Sequence, residues 1–311
     1  MTLDLVGLGE TCIDLTQIVD EFPEPDEKIF SLSSQRNVGG VTCNFCVGFA
    51  RLGGKAGFIG GIGDDGEGTQ IVSSMSLEGV NLDKLMIHKG GRTALNIILV
   101  NRAGEKMIIQ DPLLRDNLPD PDEIDEGYIT SARAFHTSAI KPNSALKAMR
   151  VAKEHGLLTS FDLEKHVSSY GLDTLKPILE LTDLLMPNKL GAMSITDAKD
   201  PVLAARSLLR LGPKAVVMTM GSKGSLIATE GGEESLNSFK TEVLDTTGAG
   251  DAFNSAFLYG VLVKGLDFSK ASIVANASAA LKIRKVGAQS GLPTLEALSD
   301  FLKERLGYTL I

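Results

Sequence analysis

The sequence of 311 residues has little cysteine, no excess of basic residues and no long apolar run. Three cysteines are too few for a disulfide framework. A net charge of −8 argues against binding to nucleic acid or to an anionic membrane surface. No segment approaches the roughly twenty apolar residues of a membrane span, and the N-terminus lacks a basic region followed by an apolar run. We therefore expect a cytoplasmic protein with no nucleic-acid or membrane partner.

Cys43 and Cys46 form a single C-x-x-C pair, a spacing that also occurs in zinc and redox sites. A zinc site needs four ligands, and the four histidines of the chain show no spacing that would complete it. The pair falls within a helical pattern from about Thr42 to Leu52, which Gly53 ends. We expect both cysteines to pack at the start of this helix.

Strand-like runs alternate with helical runs along most of the chain. The predicted strands are Asp4-Val6, Ala56-Ile59, Ala134-Thr137, Leu158-Asp162, Leu184-Met186, Ala215-Thr219 and Ser225-Ala228. The predicted helices include Gly68-Leu77, Ser144-His155, Leu172-Leu181 and Val202-Leu211. This alternation indicates a mostly parallel sheet with helices on both faces. Since 43% of the residues are apolar and no linker or repeat is found, we predict one α/β domain over residues 1–311.

Residues 13–36 and 93–110 depart from this alternation. Both read as extended segments of alternating polar and apolar residues, with turns at Pro23-Glu24-Pro25-Asp26 and Asn101-Arg102-Ala103-Gly104. Taken alone, these segments predict hairpins at the edge of a sheet, with no role at a site.

The segment Asp245-Thr246-Thr247-Gly248-Ala249-Gly250-Asp251-Ala252-Phe253 predicts an anion site. Apolar residues recur at helical spacing after it, which indicates a helix of about four turns from near Ala249. The first amides of a helix lack partners within it, and the helix dipole adds positive charge there. Because Gly248, Ala249 and Gly250 have little or no side chain, a phosphate could reach these amides.

Asp251 falls in the first turn of the same helix. A carboxylate beside a phosphate site is unfavourable unless it accepts a proton from an attacking hydroxyl, which phosphoryl transfer to an alcohol requires. The alternative is an ordinary helix start, in which Thr247 or Asp245 caps the helix and Asp251 only complements its dipole.

Two motifs resemble those of a known enzyme family. The segment 245–253 resembles the C-terminal signature of the ribokinase-like (PfkB-type) carbohydrate kinases, and Gly39-Gly40-Val41-Thr42-Cys43-Asn44, running on to Ala50-Arg51-Leu52-Gly53, resembles their N-terminal one. The two motifs occur in the family's order. Further similarity is found at Asp14, Pro187-Asn188, the stretch Thr219-Met220-Gly221-Ser222-Lys223-Gly224 and Asn276, so it covers nearly the whole chain.

The resemblance implies where a sugar would bind. Asp14 and Asn44 would form hydrogen bonds with sugar hydroxyls, because carboxylate and amide groups can each bind two of them. Gly39 and Gly40 would let the substrate approach the backbone. An aspartate after a strand, as Asp14 is predicted to be, could instead be a turn residue.

The resemblance also implies a nucleotide site. Asn188 would lie near the phosphates of ATP, and Thr219, Gly221 and Gly224 would surround the ribose and adenine. Asn276 would lie on the helix that closes the adenine pocket. The small residues around Asn276 would let a flat base approach this helix, although they could equally serve tight helix packing.

The resemblance implies a lid, cations and a dimer. Segments 13–36 and 93–110 would form a small β lid over the sugar and a homodimer contact. Asp245 and Thr247 occupy positions that bind a monovalent cation such as K⁺ in some relatives. Mg²⁺ would arrive with ATP and keep several of its waters.

The chain departs from the family pattern in two loops. Many relatives have Asn-x-x-Glu where this chain has Asn188-Lys189-Leu190-Gly191, so a glutamate that organises the metal's water shell is absent. Asp162 or Glu164 would then take its place. Fructokinases and ketodeoxygluconate kinases commonly carry Asp-x-Asn-x-Arg where this chain has Asp162-Leu163-Glu164-Lys165-His166.

Other departures leave the identity of the sugar open. Cys12 and Thr42 replace residues of the ribokinase pattern, so ribose does not follow from the match. Arg92, Arg115 and Lys165 could recognise a phosphate or carboxylate on the substrate, although exposed charges with no such role are the common case.

Together these features predict ATP-dependent phosphorylation of a hydroxyl on a sugar or related polyol. Asp251 would act as general base, and the amides of Gly248, Ala249 and Gly250 would stabilise the charge that accumulates on the phosphate. The alternatives are a nucleoside kinase on the same fold and a catalytically silent sugar-binding protein.

Overall fold

The computed structural model describes residues 2–311, which form two β-sheets and their covering helices. The strands are β1 (Leu3–Leu8), β2 (Cys12–Ile18), β3 (Ser33–Gly39), β4 (Ala56–Gly63), β5 (Asn81–His88), β6 (Leu95–Val100), β7 (Lys106–Ile109), β8 (Ala132–Thr137), β9 (Leu158–Phe161), β10 (Leu184–Leu185), β11 (Ala215–Thr219), β12 (Ser225–Thr229) and β13 (Gly232–Leu236). The helices are α1 (Val41–Arg51), α2 (Gly66–Leu77), α3 (Leu113–Asp116), α4 (Glu126–Thr130), α5 (Pro142–Glu154), α6 (Lys165–Ser168), α7 (Leu172–Leu179), α8 (Lys189–Thr196), α9 (Pro201–Leu209), α10 (Ala249–Leu262), α11 (Phe268–Lys282) and α12 (Leu295–Leu306).

The larger sheet has the strand order β13-β12-β11-β10-β9-β8-β1-β4-β5. Every pairing from β5 to β11 is parallel, and β12 and β13 add an antiparallel edge. Neighbouring residues of one strand point to opposite faces. Leu5 and Val217 belong to a core with α1, α10 and α11, whereas Val6 and Val216 belong to a core with α5, α7 and α9. Burial on both faces explains the apolar strands, and the predicted α/β fold is confirmed.

The smaller sheet has the order β3-β2-β6-β7 and contains the two segments that depart from the alternation. Strands β2 and β6 are parallel, and the outer pairings are antiparallel. The predicted turn before β7 is present, with the Gly104 amide donating to the carbonyl oxygen of Asn101 over 3.0 Å. The predicted small β lid is therefore a separate sheet.

The cysteine pair lies in α1, as predicted. Cys43 and Cys46 are both buried free thiols, and burial raises the pKa of Cys43 to about 12. No helix within residues 2–311 is long and apolar enough to cross a bilayer.

A buried histidine links the central strands to α1. His136 on β8 has no exposed surface, and its ring stacks on Phe45 with the ring centroids 3.7 Å apart. Its Nδ1 lies 2.8 Å from the hydroxyl of Ser160, while its Nε2 has no partner within the described chain. Burial lowers the pKa of His136 to about 3, because the charged ring would lose its hydration.

We predict that His136 makes the fold acid-sensitive. Between the unfolded pKa of about 6.5 and the folded value near 3, the unfolded chain binds one more proton, so stability falls as the pH falls through this window. From pH 7 to pH 5 the free energy of unfolding should drop by about 2 kcal/mol more in the wild type than in His136→Asn. Urea unfolding at both pH values measures this difference. His155→Asn, at an exposed position, should follow the wild type, and equal pH dependence in all three proteins would contradict the prediction.

Candidate active site

The N-terminus of α10 presents free amides to an open space. Gly248 precedes the helix with φ +80°, and a Cβ there would lie 2.7 Å from the carbonyl oxygen of Ala288, so only glycine fits. Within residues 2–311, nothing accepts a hydrogen bond from the amides of Gly248, Gly250 and Asp251. A Cβ on Gly250 would meet no atom within 4 Å. These amides can therefore meet an anion.

The prediction of a free amide is wrong for Ala249. Its amide donates to the carbonyl oxygen of Thr246 over 3.2 Å, because the chain makes a tight turn before the helix begins. The amide of Asp251, two residues further along the chain, is free instead. The free amides are therefore those of Gly248, Gly250 and Asp251.

Asp251 is nearly buried, and its carboxylate does not cap the helix. Its Oδ2 accepts a hydrogen bond of 2.7 Å from the side-chain amide of Asn44, which belongs to α1. Burial, and after it the negative charge of Glu164, raises the pKa of Asp251 well above its usual value, while the bond from Asn44 acts in the opposite direction. A carboxylate with a raised pKa that lines a cavity can accept a proton from a group bound there.

A cavity of about 310 Å³ opens beside Asp251, at the carboxyl ends of the parallel strands. Five carboxylates line this cavity, hereafter the acceptor cavity, and Lys106 is its one basic residue. The five acids are Glu10, Asp14, Asp162, Glu164 and Asp251. The cavity therefore offers many carboxylate oxygens as hydrogen-bond acceptors, and it carries negative charge wherever these groups are ionised.

The lid contributes Asp14 to this cavity. Asp14 follows β1, as predicted, and lies inside β2, where it is only 8% exposed. Its Oδ1 accepts a hydrogen bond of 3.0 Å from the side chain of Asn96 on β6. Gly39 lies against this carboxylate, where a Cβ would overlap it, and Gly40 lines the cavity. The structure thus brings three of the predicted sugar-binding residues together.

Asn44, the fourth predicted sugar-binding residue, also lines the cavity. Its Nδ2 bonds to Asp251, and its Oδ1 accepts a hydrogen bond of 3.0 Å from Gln289. Gln289 therefore fixes the orientation of the amide, so that Asn44 offers a donor to the carboxylate.

Sequence reasoning missed three polar residues of the cavity. Glu10 follows β1 and accepts a hydrogen bond of 2.6 Å from the hydroxyl of Ser138. Asn254 on α10 donates to Asp162 over 2.8 Å. Asn96 interrupts the apolar strand β6. Each is a single polar residue beside or within an apolar run, and this is the signal that could have identified it.

A steric constraint explains why this chain has Gly191 where many relatives have the glutamate of Asn-x-x-Glu. Asn188 caps α8 by accepting a hydrogen bond of 2.7 Å from the amide of Gly191, and it lines the acceptor cavity. A Cβ on Gly191 would overlap the carbonyl oxygen of Leu163, so no larger residue fits there. The segment around Leu163, which leaves no room for a larger residue at position 191, also contains Asp162 and Glu164, and both line the cavity.

A second cavity of about 690 Å³ lies on the other side of the α10 N-terminus. It is lined by Gly221, Gly224 and Asn276, and Asn276 donates to the hydroxyl of Ser225 over 2.9 Å. The small residues Ala279 and Ala280 of α11 also line it. The two cavities share three residues, which are Thr219, Thr246 and Gly250. They therefore meet at the free amides.

The predicted monovalent cation site holds a lysine side chain. Both carboxylate oxygens of Asp245 accept backbone hydrogen bonds of 2.8 Å, from Thr247 and Gly287. The Nζ of Lys282 donates to the carbonyl oxygen of Asp245 over 3.0 Å. Asp245 is thus bound by two backbone amides and by the ammonium of Lys282.

The three basic residues considered for anion recognition lie outside the acceptor cavity. Arg92 pairs with Asp111 over 2.6 Å, and Arg115 pairs with Asp116 over 2.9 Å. Lys165 is exposed at the start of α6. Their positions favour the interpretation that all three are exposed charges with no role in recognising the substrate.

Comparison with known proteins supports the kinase function that the sequence predicts. A family model described as pfkB family carbohydrate kinase matches residues 2–295. A 5-dehydro-2-deoxygluconokinase of Shouchella clausii is 32% identical over 97% of this chain and 96% of that protein. An ATP-dependent ribose-1-phosphate kinase of Halopiger xanaduensis is 30% identical over 97% of this chain and 98% of that protein. The crystal structure of a ribokinase from Thermotoga maritima has a TM-score of 0.85 at 25% identity, over 97% of this chain and 99% of that one. The chain thus belongs to the PfkB family of carbohydrate kinases and, as its sequence predicts, is an ATP-dependent sugar kinase.

Proposed function

We propose that the enzyme phosphorylates a hydroxyl of an uncharged sugar or polyol, with Asp251 as general base. The observation that carries the proposal is that the two cavities meet at the start of α10, beside Asp251. We also propose that the whole chain acts as one kinase domain, because Asn44 and Asp251 come from its two halves and form one site.

The acceptor would occupy the acidic cavity, and ATP the larger one. Asp251 would take the proton of the reacting hydroxyl as it attacks the γ-phosphate. The free amides of Gly248, Gly250 and Asp251 would stabilise the charge that develops on the transferred group. The raised pKa of Asp251 makes its carboxylate a stronger base once it is ionised.

Asp162 and Glu164 supply the kind of oxygen ligands that Mg²⁺ prefers, and both line the acceptor cavity near Asn188. Within residues 2–311 no cluster of three or more candidate ligands forms a metal site on its own. From the chemistry of these two acids we infer that they would hold, through water, a Mg²⁺ ion that enters with ATP. When bound, Mg²⁺ neutralises charge on the phosphates.

The charge of the acceptor cavity argues for an uncharged substrate. Five carboxylates and a single basic residue, Lys106, line the cavity. An anionic group on the substrate would add a like charge in a desolvated space. The carboxylates can accept hydrogen bonds from several sugar hydroxyls.

A nucleoside is the second candidate acceptor, because Ile98, Ile108 and Leu114 give the cavity an apolar wall on which a base could lie. A catalytically silent sugar-binding protein is disfavoured, since Asp251 and the free amides lie together beside both cavities.

We expect Asp251→Asn to lower kcat by roughly 10²–10⁴, the usual contribution of a general base, with nearly unchanged ATP affinity. The substitution keeps the size of the side chain and removes its proton affinity. Turnover assays and calorimetric titration with ATP measure both quantities. The matched control is Asp173→Asn, an exposed carboxylate in the first turn of α7. If Asp251→Asn retained wild-type turnover, Asp251 would be a structural residue.

Acceptor charge can be tested with a panel of neutral sugars, polyols, nucleosides, sugar phosphates and sugar acids. The best neutral acceptor should exceed its phosphorylated or carboxylated counterpart in kcat/KM by about 100-fold or more, because like charges repel strongly in a desolvated site. Glu10→Gln removes one carboxylate and should narrow this gap. A higher kcat/KM for the anionic compound would overturn the proposal, and a nucleoside as best acceptor would favour the second candidate.

We further propose that the lid forms a homodimer contact. The face of the lid that points away from the cavity exposes Ile97 (36%), Met107 (54%) and Ile109 (62%), and Ile97 pairs with Ile109 across β6 and β7. Strand β7 is also the edge of its sheet. An exposed edge with apolar side chains favours association with another chain.

Light scattering during gel filtration should therefore give about twice the chain mass of 33.0 kDa. Ile109→Lys places a charge in the contact and should yield the monomer. Leu77→Lys replaces an apolar residue that is even more exposed, on α2, and should leave the dimer intact. A wild-type monomer at micromolar concentration would contradict the proposal.

A further inference from the structure

Lys282 is a charged residue whose side chain has no exposed surface. It ends α11, and its Nζ donates to the carbonyl oxygens of Asp245 over 3.0 Å and of Lys285 over 3.4 Å. The Oδ2 atom of Asp245 lies 3.9 Å from the same nitrogen. A buried ammonium is stable only where other groups replace its water shell. The oxygens of Asp245 and Lys285 do this here.

The ammonium lies where the chain enters α10. The carboxylate of Asp245 accepts hydrogen bonds from the amides of Thr247 and Gly287. Asp245 therefore links the segment before α10 to the loop that follows α11. Lys282 contacts the same segment and the same loop through the carbonyl oxygens of Asp245 and Lys285. Because Gly248 follows directly, this tie positions the free amides of the anion site.

The oxygens around this nitrogen are the kind that bind a monovalent cation. Carbonyl oxygens replace the hydration shell of K⁺ in proteins, and an ammonium group carries the same charge. A second cation beside Lys282 would meet a like charge at short range. The position that the resemblance assigns to K⁺ is therefore filled by the protein itself.

We propose that the Lys282 ammonium is a built-in substitute for the monovalent cation, so that this kinase neither binds nor needs K⁺ at Asp245 and Thr247. The positive charge also acts on Asp251, since it favours the ionised carboxylate. The catalytic consequence of the proposal rests on the proposed function. Its binding consequence does not depend on turnover.

The wild-type protein tests the binding consequence directly. Thermal unfolding and calorimetric ATP affinity are compared in KCl, NaCl and tetramethylammonium chloride, each at about 0.1 M so that screening is equal. We expect the same unfolding temperature in all three salts, and ATP affinity and kcat within about twofold, because a cation that does not bind the folded state cannot stabilise it. A K⁺-specific rise in unfolding temperature, in ATP affinity or in kcat would overturn the proposal.

Lys282→Met tests the substitution itself, because methionine keeps an unbranched side chain of similar length and removes the charge. This variant should lose about tenfold or more in kcat/KM in tetramethylammonium chloride, through displaced amides. KCl or NH₄Cl should restore part of this loss and raise the unfolding temperature of the variant alone.

Lys303→Met, at an exposed position on α12, is the matched control and should behave as the wild type. A folded Lys282→Met protein with full activity and no response to K⁺ would overturn the role of Lys282. Should Lys282→Met fail to fold, the salt comparison on the wild type still decides the proposal. If the wild type phosphorylates no acceptor, the proposed function fails, while unfolding temperature and ATP affinity still decide whether K⁺ binds.

Discussion

The hydrogen bond between Asn44 and Asp251 joins the two halves of the site, and the remaining geometry follows from the helix crossing that makes it possible. Asn44 lies on α1 and Asp251 on α10. The two helices approach closely because Gly48 faces Ser255, where a Cβ would lie 2.5 Å from the serine hydroxyl. A larger residue at position 48 would separate the helices and with them the amide and the carboxylate. The Asp251 carboxylate is therefore oriented by the packing of the core as well as by its own loop.

Neutral donors hold the buried carboxylates, and this choice sets the electrostatics of the acceptor cavity. The donors are Ser138 for Glu10, Asn254 for Asp162 and Asn44 for Asp251. Burial raises the pKa of each of these three acids. A salt bridge to arginine or lysine would instead lower the pKa and weaken the base. A neutral donor fixes the position of the carboxylate without compensating its negative charge.

Sequence patterns predicted the central strands because these are apolar on both faces, as Val216 and Val217 illustrate. They missed β5 and β13, which lie at the two edges of the sheet and have mostly exposed or half-buried residues, so that no apolar pattern marks them. The anion site was predicted from residues alone because Gly248, Ala249 and Gly250 have little or no side chain, whereas Asp14, Asn44, Asn188 and Asn276 followed from the resemblance to the family. The contact between Lys282 and Asp245 could not be found in this way, since it depends on how the end of α11 meets a distant loop.

The lid serves two surfaces through the alternation of its strands. On β6, Asn96 and Ile98 face the acceptor cavity, while Ile97 between them faces away from it. On β7, Lys106 and Ile108 face the cavity, and Met107 and Ile109 face outward. Because the side-chain period of a strand is two, a register shift of one residue would exchange these surfaces. The pairing of β2 with β6, which sets Asp14 opposite Asn96, fixes the register and so determines the chemistry of both faces.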